Sequence, residues 1–306
     1  TEVYYAASHF EHVKSIFETL WMSFLAALTP PFKDYDDIET TNKCLEGLKI
    51  SIKISAIFVL DDARKSFIGA LVQFCNLQNV QEIKVKNVNA MIDLLEIALA
   101  EGNYLKDSWK DVILVVSQME RLQLISKGID RDTVPDVAQA RLANPRASLE
   151  STRSFTNQSI FDIWGKKATP IELAQEKHHN QKLSSEMSKF ISSSDLVVLM
   201  DNIFTKSSDL SGSAIIDFIK ALTDVSLDEI ESSQYASTPR MFSLQKMIDV
   251  CYYNMDRIRL EWTPLWAVMG NAFNKIATNP NLAIVFFAID SLRQLSMRFL
   301  DIDELS

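Results

Sequence analysis

Residues 86–126 read KNVNAMIDLLEIALAEGNYLKDSWKDVILVVSQMERLQLIS, and this stretch sets the fold class. Val88, Met91, Ile92, Leu95 and Leu99 recur three or four apart, which is one face of a helix running from Lys86 to Glu101. Gly102 and Asn103 follow where a left-handed residue would end that helix. A return helix is expected from about Asp107 to Ser126, so the unit is a helix, a short turn and a helix. The same theme extends in both directions.

Upstream, a helix is expected from Tyr4 to Leu28, with Phe10, Val13, Phe17, Leu20, Trp21 and Phe24 at helical spacing and Pro30-Pro31 closing it. A second follows Thr40 or Thr41 as its cap, carries Cys44, Leu48, Ile52 and Ile54, and ends near Phe58. Asp61-Asp62 caps a third, with Phe67, Leu71, Phe74 and Cys75 on one side. Downstream, Ser194 caps a helix from Asp195 to Phe204, a helix runs from Ser211 or Gly212 to Ala221, and a shorter one covers Leu227 to Ile230. Three further stripes follow. They are Leu244, Ile248, Cys251, Met255 and Ile258; Leu265, Val268, Met269 and Phe273 after Thr263-Pro264; and Val285, Ile289, Leu292, Ser296 and Phe299 after Pro280. The prolines are expected at the starts of the second and third of these helices, where a missing N–H costs little.

Composition supports this reading. With 7 Gly and 8 Pro in 306 residues, turns are too few for a sandwich, propeller or doubly wound sheet, while 47% hydrophobic residues supply a large core. Helix pairs recur at about the 40 to 47 residues of HEAT-like repeats without a shared consensus. Such pairs cannot bury their apolar faces alone and stack on their neighbours. The expectation is all-α, a HEAT/armadillo-like α-solenoid of stacked helix pairs; a single compact helical domain is the alternative. The organisation is helical repeats over 1–127, a largely polar and partly disordered insertion over 128–185, and helical repeats over 186–306. Within the insertion, Ile160-Phe-Asp-Ile-Trp164 is an apolar island, read as docking onto the helical body or as a binding motif.

The net charge of −9 argues against nucleic acid as a partner, since grip on phosphates comes from lysine and arginine. Cys44, Cys75 and Cys251 sit singly in apolar runs and suggest neither a disulfide framework nor a zinc knuckle, as in a reducing cytoplasmic setting. The longest apolar run, Ala283 to Ile289, falls short of the roughly 20 residues of a spanning helix. The absent initiator methionine and the abrupt stop at Ser306 suggest a piece of a longer protein.

No catalytic constellation emerges. G-x-G-x-x-G, G-x-x-x-x-G-K, G-x-S-x-G, H-E-x-x-H and C-x-x-C are all missing from the sequence. His9 and His12 share a helix face without a third ligand, and the adjacent His178 and His179 diverge, so no metal site and no cofactor are expected. Asp34, Asp36, Asp37 and Glu39 read as a solvated approach to a helix. Trp21 and Trp109 fit inner stripes, whereas Trp262 and Trp266 flank Pro264 and are read as helix wedges or as binding anchors. The block 239–300 carries Arg240, Lys246, Arg257, Arg259, Lys275, Arg293 and Arg298 against four acids, a local excess of +3. That is either a field that steers an acidic partner or anionic lipid, or a solvated helix face with i,i+4 pairs.

Several runs carry a family resemblance. Thr238-Pro-Arg-Met-Phe-Ser-Leu-Gln-Lys-Met247, Tyr252-Tyr-Asn-Met-Asp-Arg-Ile-Arg-Leu-Glu-Trp262 and Phe287-Ala-Ile-Asp-Ser-Leu-Arg-Gln-Leu-Ser-Met297 resemble the late-Golgi large Arf guanine-nucleotide exchange factors, the BIG/Sec-seven group. Cys44-Leu-Glu-Gly-Leu-Lys-Ile50, Glu101-Gly-Asn-Tyr-Leu-Lys-Asp-Ser-Trp109, Ile203-Phe-Thr205 and Gly212-Ser-Ala-Ile-Ile-Asp-Phe218 resemble the same family. The likeness covers nearly everything except about 128–185 and is close to the budding-yeast type. It implies the first homology region downstream of the exchange domain, a helical-repeat regulatory module without the glutamate finger of the exchanger, and hence no catalytic residue here. It further implies a protein peripheral on the trans-Golgi membrane that engages GTP-bound Arf, giving recruitment and positive feedback, and that restrains the adjacent exchange domain; direct contact with the Golgi membrane is a further expectation. The candidate contact residues are Asn254, Arg257, Arg259, Trp262, Asn274 and Lys275. The alternative is a structural helical spacer with no direct GTPase contact.

Overall fold

A computed structural model describes residues 9–77, 82–127, 129, 189–236 and 238–300. Ten α-helices lie wholly within the described residues, none of which forms a strand: α1 Phe10–Asp34, α2 Ile38–Ile57, α3 Asp61–Phe74, α4 Val85–Ala100, α5 Trp109–Ser126, α6 Ser194–Thr205, α7 Gly212–Ser233, α8 Phe242–Tyr253, α9 Arg259–Ile276 and α10 Leu282–Leu300. The insertion expected over 128–185, with its apolar island, lies outside the described residues apart from Ile129.

The helices form two layers. The odd-numbered helices pack in order, α1 on α3, α3 on α5, α5 on α7 and α7 on α9, and the even-numbered helices pack likewise from α2 to α10. The layers are joined by neighbours in sequence, such as α1 with α2, α7 with α8 and α9 with α10. Each helix thus leans on helices one or two places away, which is the contact pattern of an α-solenoid and rules out the compact alternative. A continuous core runs between the layers through Phe17, Leu48, Phe67, Met91, Trp109 and Ile113 to Phe218, Leu244, Leu265 and Leu295. Trp109 meets Phe218 edge to face with ring centroids 4.8 Å apart, tying α5 to α7.

Several helix ends differ from the sequence expectation, each for a visible reason. Pro30 and Pro31 lie inside α1, which continues to Asp34. Their missing N–H groups normally cost about 3 kcal/mol or more. Here Phe32, buried, stacks on Phe74 at 3.8 Å, and the Lys86 ammonium donates to the carbonyls of Phe32 (2.7 Å), Lys33 (3.1 Å) and Tyr35 (2.7 Å). A cation from α4 therefore caps α1. The cap of α2 is Asp37, whose carboxylate accepts from the Thr40 amide at 2.8 Å, so Thr40 and Thr41 lie inside the helix. At α3 the capping position is Leu60, with Asp61 and Asp62 in the first turn; α6 is preceded by Ser193.

Helix α4 is not closed by a left-handed Gly102 or Asn103. The chain passes through two 3₁₀ turns, and the positive φ falls on Lys106 at 49°. Gly102 serves a close approach instead: a Cβ there would lie 2.8 Å from the Leu210 side chain and 3.0 Å from the Trp109 ring, and the indole N–H donates to its carbonyl at 3.0 Å. The expected break after Ala221 is absent, because Thr223, Val225, Ser226, Glu229 and Ile230 are all buried and hold α7 as one helix to Ser233. Pro264 is the sixth residue of α9, not its first, and Ile258, expected on an inner stripe, is exposed. In α10 the inner stripe is Ile284, Ala288, Ser291 and Leu295, one residue away from the expected set, and Ile289 faces out.

Candidate partner-binding surface

The six candidate residues separate into two groups. Asn254, Arg257 and Trp262 are structural members of the junction between α8 and α9. The buried Asn254 carboxamide donates to Ser207 Oγ (2.9 Å) and the Val250 carbonyl (2.8 Å) while its oxygen accepts from Arg257 Nε (2.7 Å). The Arg257 guanidinium donates to the carbonyls of Ser208 (3.0 Å) and Leu210 (2.5 Å) and pairs with Glu261 at 3.1 Å. Together they clamp the α6–α7 connection onto the α8–α9 turn. This satisfies carbonyls that a 3₁₀ turn leaves unpaired. Trp262 is buried and meets Phe299 edge to face at 4.8 Å, a wedge between α9 and α10. Its indole N–H has no hydrogen-bond partner among the described residues.

Arg259, Asn274 and Lys275 are exposed on α9, and no ion pair involves either cation among the described residues. Helical geometry puts Arg259 and Lys275 about 24 Å apart along the axis and about 160° apart around it. They border a broad outer surface and do not converge on one small ligand. Trp266 is half-exposed, with its ring 6.0 Å from Phe299.

The basic excess of block 239–300 is largely spent inside the molecule. Arg240 lies 3.1 Å from Glu120 and 3.7 Å from Glu229, and Lys246 lies 3.0 Å from Asp201. These three carboxylates belong to α5, α6 and α7, outside the block, and cancel its surplus. Arg293 pairs with Asp290 within α10 at 2.8 Å. Arg259, Lys275 and Arg298 remain exposed to a partner.

A buried polar cluster, missed from sequence, sets the angle of α8. The Glu229 carboxylate is fully buried and accepts from Ser117 Oγ (2.6 Å), Ser243 Oγ (2.8 Å) and the Ser243 amide (2.8 Å). Arg240, beside it, donates to the Ser117 carbonyl and to Glu120. Three helices, α5, α7 and α8, meet at this carboxylate, which also faces the positive end of α8. Burial raises the Glu120 carboxyl above its ordinary value against the pull of Arg240. No spacing rule marks Glu229, since its partners lie more than a hundred residues upstream and fourteen downstream.

Two concavities lie elsewhere. A groove of about 550 Å³ between α2 and α4 is lined by Asn42, Leu45, Glu46, Lys49 and Asp93, and Lys49 is held by Asp93 (2.7 Å) and Glu96 (2.8 Å). The other, of about 200 Å³, lies beside Gly102, Trp109 and Ile203. The three cysteines are free and buried, and burial pushes the Cys75 and Cys251 thiols well up, away from the reactive thiolate. His9 and His12 touch edge to face at 5.5 Å, and among the described residues no three His, Cys, Asp or Glu side chains are grouped to hold a metal ion. No described helix is long and apolar enough to cross a membrane.

No protein-family model matches the chain. Individual proteins do. It is 84% identical over 305 residues to the ADP-ribosylation factor guanine nucleotide-exchange factor SEC7 of Saccharomyces cerevisiae, covering all of this chain and 15% of that protein. It is 44% identical to the corresponding factor sec72 of Schizosaccharomyces pombe, again over the whole chain and 16% of the relative. Human Brefeldin A-inhibited guanine nucleotide-exchange protein 1 is 38% identical over 98% of this chain and 16% of its own length. The chain therefore spans about a sixth of the relatives it matches. Similarity of this strength from end to end places the chain, as a segment, in the Sec-seven/BIG family of large Arf guanine-nucleotide exchange factors, close to the budding-yeast type.

Proposed function

We propose that this segment is a regulatory scaffold that performs no exchange chemistry itself. In this reading it is the first homology region downstream of the exchange domain. It engages GTP-bound Arf at the trans-Golgi membrane for recruitment and positive feedback, and it restrains the exchange domain until then. The observation that carries the reading is the end-to-end match to a protein named as an exchange factor for ADP-ribosylation factor. The solenoid adds a physical means, since stacked helix pairs present a long surface and place exposed Arg259, Asn274 and Lys275 on one helix. To convey a signal, that surface must bind the GTP form more tightly than the GDP form.

The test is co-sedimentation of the full-length protein with liposomes carrying GTP-loaded Arf. Arg259→Glu with Lys275→Glu is expected to lower recovery about tenfold at unchanged thermal stability, because neither cation forms an ion pair among the described residues. Unchanged recovery removes the proposed contact face.

A second reading, a structural spacer holding the exchange domain and later repeats without touching Arf, draws on a specific observation. Asn254, Arg257, Trp262 and Arg240, the most distinctive side chains of block 239–300, are all committed to internal contacts. It predicts that the charge reversal leaves recruitment intact while Leu295→Asp, at a fully buried position of α10, abolishes it.

A further inference from the structure

Helix α5 is buried on a side where its neighbours are not. At about 100° per residue, Val112, Val116, Met119 and Gln123 face the core, and Leu114, Gln118, Arg121 and Ile125 form a stripe about 60° wide, about 160° round from them. On that outward stripe Leu114 and Ile125 are half-buried, and Gln118 and Arg121 are only 5% and 4% exposed. On α7, the next helix of the same layer, the outward polar residues Lys220, Asp224 and Glu231 are exposed, as are Asp62 and Gln73 on α3. Helices α3 and α7 flank α5 and α4 lies beneath it, so no described helix crosses the stripe. A guanidinium is costly to bury unless it is paired. Both Gln118 and Arg121 are engaged in polar contacts there. One chain by itself covers them, so the cover belongs to the same molecule.

We propose that residues 130–188 lie across the outer face of α5, anchored there by the apolar island at 160–164. The stretch begins and ends at this helix. Lys127 closes α5, and the returning chain is held to its last turns by Gln123, whose Nε2 donates to the Ile191 carbonyl at 3.0 Å, and by the Ser126–Ser192 hydroxyl contact at 2.7 Å. Its length is ample: Leu114 lies about 20 Å along the axis from residue 127, a distance that roughly six extended residues span. The other stretches outside the described residues, 1–8, 78–81, 237 and 301–306, are short and adjoin other helices. Chemistry agrees with position. The island brings Ile160, Phe161, Ile163 and Trp164 to Leu114 and Ile125, and Asp162 within it supplies a carboxylate for Arg121. The proposal concerns how this segment is built and stands whether or not Arf binds α9. It also removes the outer face of α5 from the surface open to a partner.

Amine cross-linking of the full-length protein tests it without any substitution. Lys110, partly exposed at the edge of the stripe, is expected to cross-link to Lys166 or Lys167, just beyond the island. No cross-link from these two lysines to Lys110, or links only to distant sites such as Lys53 on α2, overturns the proposal. So do links that join only separate copies in a mixture of isotope-labelled and unlabelled protein. In a second arm, Leu114→Cys and Ile125→Cys are read by maleimide labelling on individual peptides, with Lys220→Cys on α7 as the exposed control. Ile160→Asp with Trp164→Asp is expected to speed labelling at 114 and 125 at least about tenfold and to leave position 220 unchanged. Unchanged rates at 114 and 125 contradict the docking. The buried thiols of Cys75 and Cys251 report folding in the same experiment, since they label only if the chain is open.

Discussion

Glu229 shows how one side chain decides the relation of three helices. Its carboxylate holds the Ser117 and Ser243 hydroxyls and the start of α8, with Arg240 alongside. Removing one partner of such a buried set leaves the others without compensation, so Glu229→Ala is expected to cost about 3–5 kcal/mol in urea unfolding. Lys275→Ala, exposed and without an ion pair among the described residues, should stay within about 0.5 kcal/mol. Asp61 gives a pH dependence of definite sign. Hydrogen bonds from Lys106 and Arg64 hold its carboxyl below the ordinary value, so the folded state binds fewer protons there than the unfolded chain. Its contribution is complete above the unfolded pKa of about 3.9 and is lost as pH falls through the folded value. The carboxylate is 45% exposed, so the effect is screened to below about 1 kcal/mol. Asp61→Asn should therefore lower stability near neutrality and flatten the acid limb below pH about 4. Glu229 does not stand out in the sequence, since its partners come from α5 and α8, and Asp61 stands out only as a cap. Arg64 is three residues on in the same helix, but Lys106 comes from the turn after α4, where spacing along one helix is blind to it.

Periodicity located the ten helices named above, with α7 read as two pieces, because an apolar stripe is a property of the helix itself. It failed where the deciding contact came from elsewhere. Pro30-Pro31 reads as a stop until the Lys86 cap and the Phe32–Phe74 stack are seen. Lys86→Ala should leave the core intact while speeding amide exchange over the last turn of α1, residues 32–35, with little change nearer its middle. In α10 the pattern is ambiguous by nature, since apolar residues lie on both sides and only the position of α8 and α9 selects the inner one. For α7, local residue types suggest a break near Thr223 and burial overrides it. Thr223→Pro is accordingly expected to cost about 3 kcal/mol or more. A chain with two short helices meeting there would tolerate it.

At the scale of the molecule, the two-layer stack was legible from recurring helix pairs and scarce glycine, and it makes surface the product of the fold. Of the six candidate residues, three are exposed on α9 and three join helices, a division the sequence does not mark. Sequence marks which residues are distinctive, yet distinctive residues such as Trp262 and Asn254 are as useful for joining helices as for meeting a partner. Charge arithmetic over one block misled for a similar reason, since carboxylates from α5, α6 and α7 fold onto it. What remains for a partner is a long outer face with scattered cations, and under the proposed function its role is to tell nucleotide states of Arf apart. The affinity of the full-length protein for membrane-anchored Arf, measured on the same liposomes with GTP and then with GDP, tests that most directly. The account predicts at least about tenfold tighter binding to the GTP form, a difference of about 1.4 kcal/mol. Equal affinity for the two forms would contradict it.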